Sequence, residues 1–175
     1  PVVRIPWNDM VTVKRVLDAG AQSLLIPMIQ TGEEARNAVA YTRYAPDGVR
    51  GSGGPTRASR FMRIKDYAKK AAGEICVLLQ VETLQGIENL GEIASVPGVD
   101  GIFLGPGDLS TDMGHLGNMN HPDVQKVLAD ELQKRLWEVI PFVPLAQYTQ
   151  PVPHRKNVTG LLLAPIQVFW NMDKS

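Results

Sequence analysis

Two carboxylates stand near the ends of apolar runs. Glu82 closes the run LLQVE, and Asp108 follows the run IFLG. An ionised carboxylate inside a protein is costly unless it is paired or bound to a metal. Functional groups of parallel α/β folds collect at the carboxyl ends of the strands, so we expect these two side chains to lie close together. Carboxylates with open positions for water or substrate oxygens suit Mg²⁺ or Mn²⁺, and the arrangement therefore predicts a divalent-cation site.

The two acids also have an interpretation without metal. Each could cap the helix that follows its strand, a role that Asp108 or Ser110 could take. Zinc is the less favoured cation, because no histidine or cysteine lies at ligand spacing. We expect His115 to be solvated in a loop and His121 to help begin a helix, while His154 belongs to the C-terminal segment.

Arg4 has the same placement as the acids, because it ends the apolar run VVR. A guanidinium at the carboxyl end of a strand can hold a carboxylate or stabilise an enolate oxygen. A surface ion pair is the alternative. The glycine-rich segment 50–60 could bind an anion through its amides and its arginines. It matches no nucleotide-binding motif, and we expect a flexible loop at the mouth of the fold instead.

Strands and helices alternate along the chain, which predicts a parallel sheet covered by helices. The strands are expected at 2–5, 23–29, 74–82 and 101–110, and the main helices at 10–20, 31–44, 84–96 and 121–140. A (β/α)8 barrel usually needs about 250 residues, so four units correspond to half a barrel. We predict a partial barrel domain at 1–138 and a poorly determined tail at 139–175, which holds five of the 13 prolines.

Charge and hydropathy exclude several classes of partner. The formal net charge is +0 and the pI is about 7.4, which favours neither nucleic acid nor an anionic membrane surface. No apolar run approaches the roughly 18 residues that a membrane span needs, and no signal-peptide pattern opens the chain. A cytoplasmic setting is the expectation.

Several segments, in order and at matching intervals, resemble the HpcH/HpaI aldolases. They are PVVRIPWND, LDAGAQSLLIPMIQTGEEAR, RYAPDGVRGSGGPTRASRF, LLQVETLQGIENL, VDGIFLGPGDLS and HPDVQ, and they extend from residue 1 to about residue 135. This family comprises class II metal-dependent pyruvate aldolases, such as 4-hydroxy-2-oxoheptanedioate aldolase and 2-dehydro-3-deoxyglucarate aldolase. The resemblance implies a TIM barrel of the phosphoenolpyruvate/pyruvate type, usually assembled as a hexamer.

The resemblance also implies roles for individual residues. Glu82 and Asp108 would be the ligands of a divalent cation (Mg, Mn or Co). Arg4 would contact pyruvate or its enolate, and backbone amides around Gly107 and Asp108 would hold the pyruvate carboxylate. The implied partners are a small 2-oxo acid and an aldehyde, and the implied base is metal-bound water aided by a histidine.

The chain departs from the family pattern at both ends. The family's first two strands, with a DGEH-type segment that assists proton transfer, would precede PVVR, and none of the three histidines stands in an equivalent place. The family's last strands would follow residue 135. We therefore expect a family member that is truncated at its N-terminus and divergent at its C-terminus.

Three readings of the function follow. The first is metal-dependent aldol cleavage and condensation of 2-oxo-3-deoxy or 4-hydroxy-2-oxo acids through a pyruvate enolate. The second is a catalytically incompetent fragment that at most binds metal and a 2-oxo acid. The third is a CoA-ester lyase of the citrate lyase β type, which shares the fold. A phosphate-binding module that uses the GSGG segment has little support.

Overall fold

Four short apolar segments form a parallel sheet, as the alternation of strands and helices predicted. In this computed structural model, the backbone is described for residues 1–139 and the side chains for residues 1–131. The strands pair in chain order, each parallel to the next. They are β1 (Val2–Arg4), β2 (Ser23–Ile26), β3 (Cys76–Val81) and β4 (Gly101–Leu104). The predicted tail from residue 140 onward lies outside the described residues.

Helices follow each strand and supply the outer layer. They are α1 (Met10–Asp18), α2 (Gly32–Thr42), α3 (Tyr67–Glu74), α4 (Leu84–Glu88), α5 (Leu90–Ala94), α6 (Pro106–Asp112) and α7 (Pro122–Val139). In the described part of the chain, no helix is both long enough and apolar enough to cross a bilayer.

The core lies between the helices and one face of the sheet. Successive side chains of a strand point to opposite faces, and one face carries Leu24, Ile26, Val77, Leu79 and Val81, all of which are fully buried. Burying a side chain of this size contributes about 1.5–3 kcal/mol. The helices complete this core with Val13, Leu17, Ala35, Ala38 and Ile93.

The opposite face of the sheet carries the polar residues. Strand register places Arg4 beside Leu25, Leu25 beside Leu78, and Gln80 beside Phe103. Phe103 remains 49% exposed, whereas Gln80 is only 7% exposed. The polar side chains of the sheet are therefore concentrated on the face that the helices do not cover.

The strands are shorter than the sequence predicted. β2 ends at Ile26 because Pro27 has no N–H for a ladder hydrogen bond, and β4 ends at Leu104 for the related reason that Pro106 begins a helix. The prediction that the fourth strand extends to residue 110 is wrong. Asp108 consequently lies in the first turn of α6.

The predicted helix at 84–96 is two short helices. The helix is interrupted at Asn89, whose backbone (φ −90°, ψ 8°) is not helical. Its side-chain amide donates to the Gln30 carbonyl at 2.8 Å, a contact that compensates for the break. The interruption ties α4 to the loop that follows β2.

A buried ion pair fixes the glycine-rich segment against α1. The Arg50 guanidinium is 2% exposed, donates to Asp18 at 2.9 Å and stacks 4.6 Å from the centre of the Tyr44 ring. Lys14 also pairs with Asp18. Burial alone would raise the pKa of Asp18, but hydrogen bonds from Lys14 and Arg50 outweigh it and hold the pKa below the ordinary aspartate range.

Replacing Asp18 with Asn should lower the free energy of unfolding by about 3 kcal/mol near neutral pH, because it leaves the buried Arg50 charge without its counter-ion. The depressed pKa adds a pH signature. The contribution of Asp18 is complete above its unfolded pKa of about 3.9 and is lost as the pH falls through the lower folded value. Urea unfolding at neutral and acid pH measures both effects.

The matched control for this variant is Asp47→Asn, which changes an exposed carboxylate. It should alter the free energy of unfolding by less than about 0.5 kcal/mol. An Asp18→Asn variant that is as stable as the wild type at neutral pH would contradict the assignment. So would a variant whose free energy of unfolding falls as much on acidification as that of the wild type.

Candidate active site

The carboxylate of Glu82 is the most deeply buried charged group at the carboxyl edge of the sheet. Glu82 directly follows β3 and is 1% exposed. The Met28 backbone N–H donates to Oε1 at 3.0 Å, and the Gln80 side-chain amide donates to Oε2. Met28 holds a left-handed backbone (φ 56°), which a non-glycine residue rarely adopts. The chain thus accepts local strain where an amide meets this carboxylate.

Asp108 approaches Glu82 from α6. It lies in the first turn of that helix, after the N-cap residue Gly105, which has no side chain to cap the helix. The Asp108 carboxyl acts on Glu82 and raises the pKa of the Glu82 carboxyl. The N-cap of α6 is therefore Gly105 and not Asp108, and Asp108 acts on Glu82 from a helix instead of from the predicted strand end.

Arg4 is the cationic member of the group. It is the last residue of β1, is exposed, and lies on the same sheet face as Gln80. Its positive charge acts on Glu82 and favours the ionised carboxylate. The structure therefore brings together the three side chains that the sequence singled out.

The electrostatics of Glu82 follow from this crowding. Burial raises the pKa of Glu82 above the ordinary glutamate range, and the hydrogen bond from the Met28 amide only partly offsets it. The neighbouring Asp108 raises the pKa further, while Arg4 lowers it. Two carboxyl groups this close cannot both ionise cheaply without a shared proton or a cation.

Gln80 is a site residue that the sequence reasoning missed. It stands two positions before Glu82, so both side chains point to the same face of the sheet. Gln80 is buried, and its Oε1 has no hydrogen-bond partner among the described residues. A buried amide in an otherwise apolar strand was the available signal, since such a group requires a partner.

Hydrogen bonds at the start of α4 fix the position of α6 relative to the segment that follows Glu82. Thr83 caps α4 by accepting the Gly86 N–H at 3.1 Å. The first residue of that helix, Leu84, donates its N–H to the Asp112 carboxylate on α6 at 2.8 Å. The segment after Glu82 is thereby joined to the helix that carries Asp108.

The glycine-rich segment lies away from the acids, so the prediction that it forms a loop at the mouth of the fold is wrong. Arg57 and Arg60 line a cavity of about 700 Å³ at the amino ends of β2 and β3, whereas Glu82 is at the carboxyl end. Arg50 is occupied by Asp18. None of these arginines joins the candidate site.

Two sequence comparisons identify the relatives of this chain. Residues 1–136 match the family described as HpcH/HpaI aldolase/citrate lyase. A 4-hydroxy-2-oxo-heptane-1,7-dioate aldolase of Klebsiella pneumoniae is 54% identical over 135 residues, which cover 77% of this chain and 51% of that protein. The aldolase of the same name from Salmonella paratyphi C is 48% identical over 170 residues, which cover 96% of this chain and 64% of that protein.

The fold comparison agrees. A crystal structure of an HpcH/HpaI aldolase/citrate lyase family protein from Burkholderia cenocepacia superposes with a TM-score of 0.72 at 44% identity, over 76% of this chain and 53% of that one. The chain spans between about half and two thirds of the relatives that it matches. Its four-stranded parallel sheet corresponds to half of the family's TIM barrel. The chain belongs to the HpcH/HpaI aldolase/citrate lyase family.

Proposed function

We propose that this chain carries the metal-binding and pyruvate-binding half of a class II aldolase. The reaction is cleavage or formation of the carbon–carbon bond of a 4-hydroxy-2-oxo or 2-oxo-3-deoxy acid, with pyruvate and an aldehyde as the two halves. The observation that carries the proposal is the buried Glu82 carboxylate, whose pKa responds to Asp108 and to Arg4 on the same face of the sheet. The aldolase names of the relatives support this reading over a CoA-ester lyase.

The residues at the site suit a hard divalent cation. A Cβ on Gly105 would lie 2.6 Å from Glu82 Oε2 and 2.8 Å from the Gln80 amide nitrogen, so the glycine makes room for the carboxylate. Glu82 and Asp108 supply oxygen ligands, as Mg²⁺, Mn²⁺ and Co²⁺ accept. When bound, such a cation supplies Lewis acidity toward the oxygens of a 2-oxo acid.

The remaining roles belong to groups of the chain itself. Arg4 offers its guanidinium to a carboxylate or to the oxygen that gains charge as an enolate forms. The N–H groups of Gly107 and Asp108 lie in the first turn of α6, where no intrahelical acceptor exists, and are free to donate to a substrate carboxylate. Gln80 orients Glu82 through its amide.

Proton transfer is assigned to no side chain of this group. His115 and His121 come after the C-terminal end of α6, whereas Asp108 lies in the first turn of that helix. Binding of metal and 2-oxo acid without turnover is therefore the second candidate function. The two candidates differ only in whether bound substrate is cleaved.

Calorimetry should detect pyruvate binding in the presence of Mn²⁺ and none in its absence. The double variant Glu82→Ala, Asp108→Ala should lose this binding, because it removes both oxygen ligands. The matched control is Glu88→Gln, which removes an exposed carboxylate from α4. Pyruvate binding that persists in the double variant would refute the site, and cleavage of a 4-hydroxy-2-oxo acid would separate the aldolase from the binding-only candidate.

Arg4→Gln should weaken pyruvate binding by about tenfold or more, because a charge-assisted hydrogen bond contributes about 1.5–3 kcal/mol. Affinity for Mn²⁺ alone should change by less than about threefold, since Arg4 is not a ligand. Parallel titrations with metal and with pyruvate separate the two effects. A proportional loss of both affinities would show that Arg4 acts on the carboxylates and not on substrate.

Gly105→Ala should lower Mn²⁺ affinity by more than about tenfold, because the added methyl group displaces the Glu82 side chain. Gly91→Ala is the control, since a Cβ at that position meets no atom within 4 Å. Circular dichroism verifies that both variants fold. Wild-type metal affinity in folded Gly105→Ala would mean that Glu82 is not held where the cation binds.

A further inference from the structure

A second group of potential metal ligands lies where the loop after α6 meets the first turn of α7. His115, His121 and Asp123 each offer one ligand atom, and these atoms lie within 4.8 Å of one another. His115 and His121 were expected to be a solvated residue and a helix-starting residue, and no ligand spacing linked them. A turn brings them together, because the His121 N–H donates to Asn118 and the Asn118 N–H donates to His115.

The distances are close to those of a tetrahedral site. One carboxylate oxygen of Asp123 lies 3.7 Å from His115 Nε2 and 3.6 Å from His121 Nδ1. Two ligand atoms at Zn–N and Zn–O distances of about 2.0–2.2 Å are about 3.3–3.5 Å apart in tetrahedral geometry. Closing the group around a cation therefore requires shifts of only a few tenths of an ångström in these two separations.

The two histidine rings lie against each other beside Asp123. They stack with centres 3.5 Å apart and planes 13° apart. His121 Nδ1 accepts the Asp123 backbone N–H at 3.3 Å, a long hydrogen bond that a cation on Nδ1 would replace. The neutral imidazole is the ligand form. Coordination requires the rings to rotate out of the stack, and their partial exposure, 27% and 30%, leaves room for it.

The ligand set selects a different class of cation from the acidic site. Imidazole nitrogens favour Zn²⁺, Co²⁺ or Ni²⁺, whereas Mg²⁺ and Mn²⁺ prefer oxygen. We propose that His115, His121 and Asp123 form a second cation site, for zinc or a similar borderline metal, with the remaining position open to water. Bound metal would join the loop after α6 to the first turn of α7.

The group also has a structural explanation without metal. His121 caps α7 through the Asp123 amide, and this contact alone could account for its position. It does not account for His115, whose ring makes no capping bond yet lies beside the same carboxylate. The two explanations differ in what His115 contributes, and an experiment can be built on that difference.

The test uses an untagged chain that already carries Glu82→Ala and Asp108→Ala, so that the acidic site cannot contribute. We expect this protein to bind one Co²⁺ with visible absorption bands that Zn²⁺ removes, and to unfold at a higher temperature with Zn²⁺. Adding His115→Ala should weaken Zn²⁺ binding by more than about tenfold. His121→Asn, whose side-chain oxygen can still cap α7, should do the same.

The matched control is His154→Ala, which changes the third histidine of the chain. It should leave Zn²⁺ affinity and the Co²⁺ spectrum unchanged. The proposal is overturned if the parent protein binds no Zn²⁺, or if folded His115→Ala binds it as tightly as the parent. Loss of binding in His154→Ala alone would overturn it as well, because the metal would then be held elsewhere.

Discussion

The arrangement around the site depends on the burial of one carboxylate. Taking Glu82 out of water costs several kcal/mol unless other groups replace the lost hydration. The chain replaces it with a backbone amide from a strained Met28, a side-chain amide from Gln80 and the space left by Gly105. These compensations are incomplete, because the pKa of Glu82 remains raised. Because part of the desolvation cost of the Glu82 carboxylate is not offset, a proton or a cation bound there would stabilise the site.

The sheet divides stability from chemistry between its two faces. Leucine, isoleucine and valine on one face pack under the helices, while Arg4, Gln80 and Glu82 share the other. Because neighbouring residues of a strand alternate between faces, both sets can be specified in the same few residues. In the run LLQVE, Leu79 and Val81 belong to the core beneath the helices, and the polar residues Gln80 and Glu82 belong to the site. The core therefore fixes the positions of Gln80 and Glu82 directly, with no intervening loop between them.

The sequence predicted the strands, their parallel order and the meeting of Glu82 with Asp108, because apolar runs ending in polar residues are strong local signals. It misplaced Asp108 on a strand, because Pro106 begins a helix directly after the apolar run IFLG. It missed Gln80, because a single polar residue does not interrupt a strand pattern. It also missed the proximity of His115 and His121, which a turn with Gly117 at φ 77° creates between residues that share no periodic spacing. Contacts that depend on tertiary geometry are those that local patterns did not predict.

The order of the strands has a consequence for folding. Every strand pairs with its neighbour in sequence, but the pairs enclose loops of very different length. Val2 pairs with Ser23 and Leu78 with Gly101, whereas Ser23 pairs with Cys76, across the whole of α2, the glycine-rich segment and α3. Loop closure costs more entropy as the enclosed chain lengthens, so the joining of β2 to β3 carries the largest such cost in the sheet. The Arg50–Asp18 ion pair fastens the middle of that long connection to α1 and divides one large closure into two smaller ones.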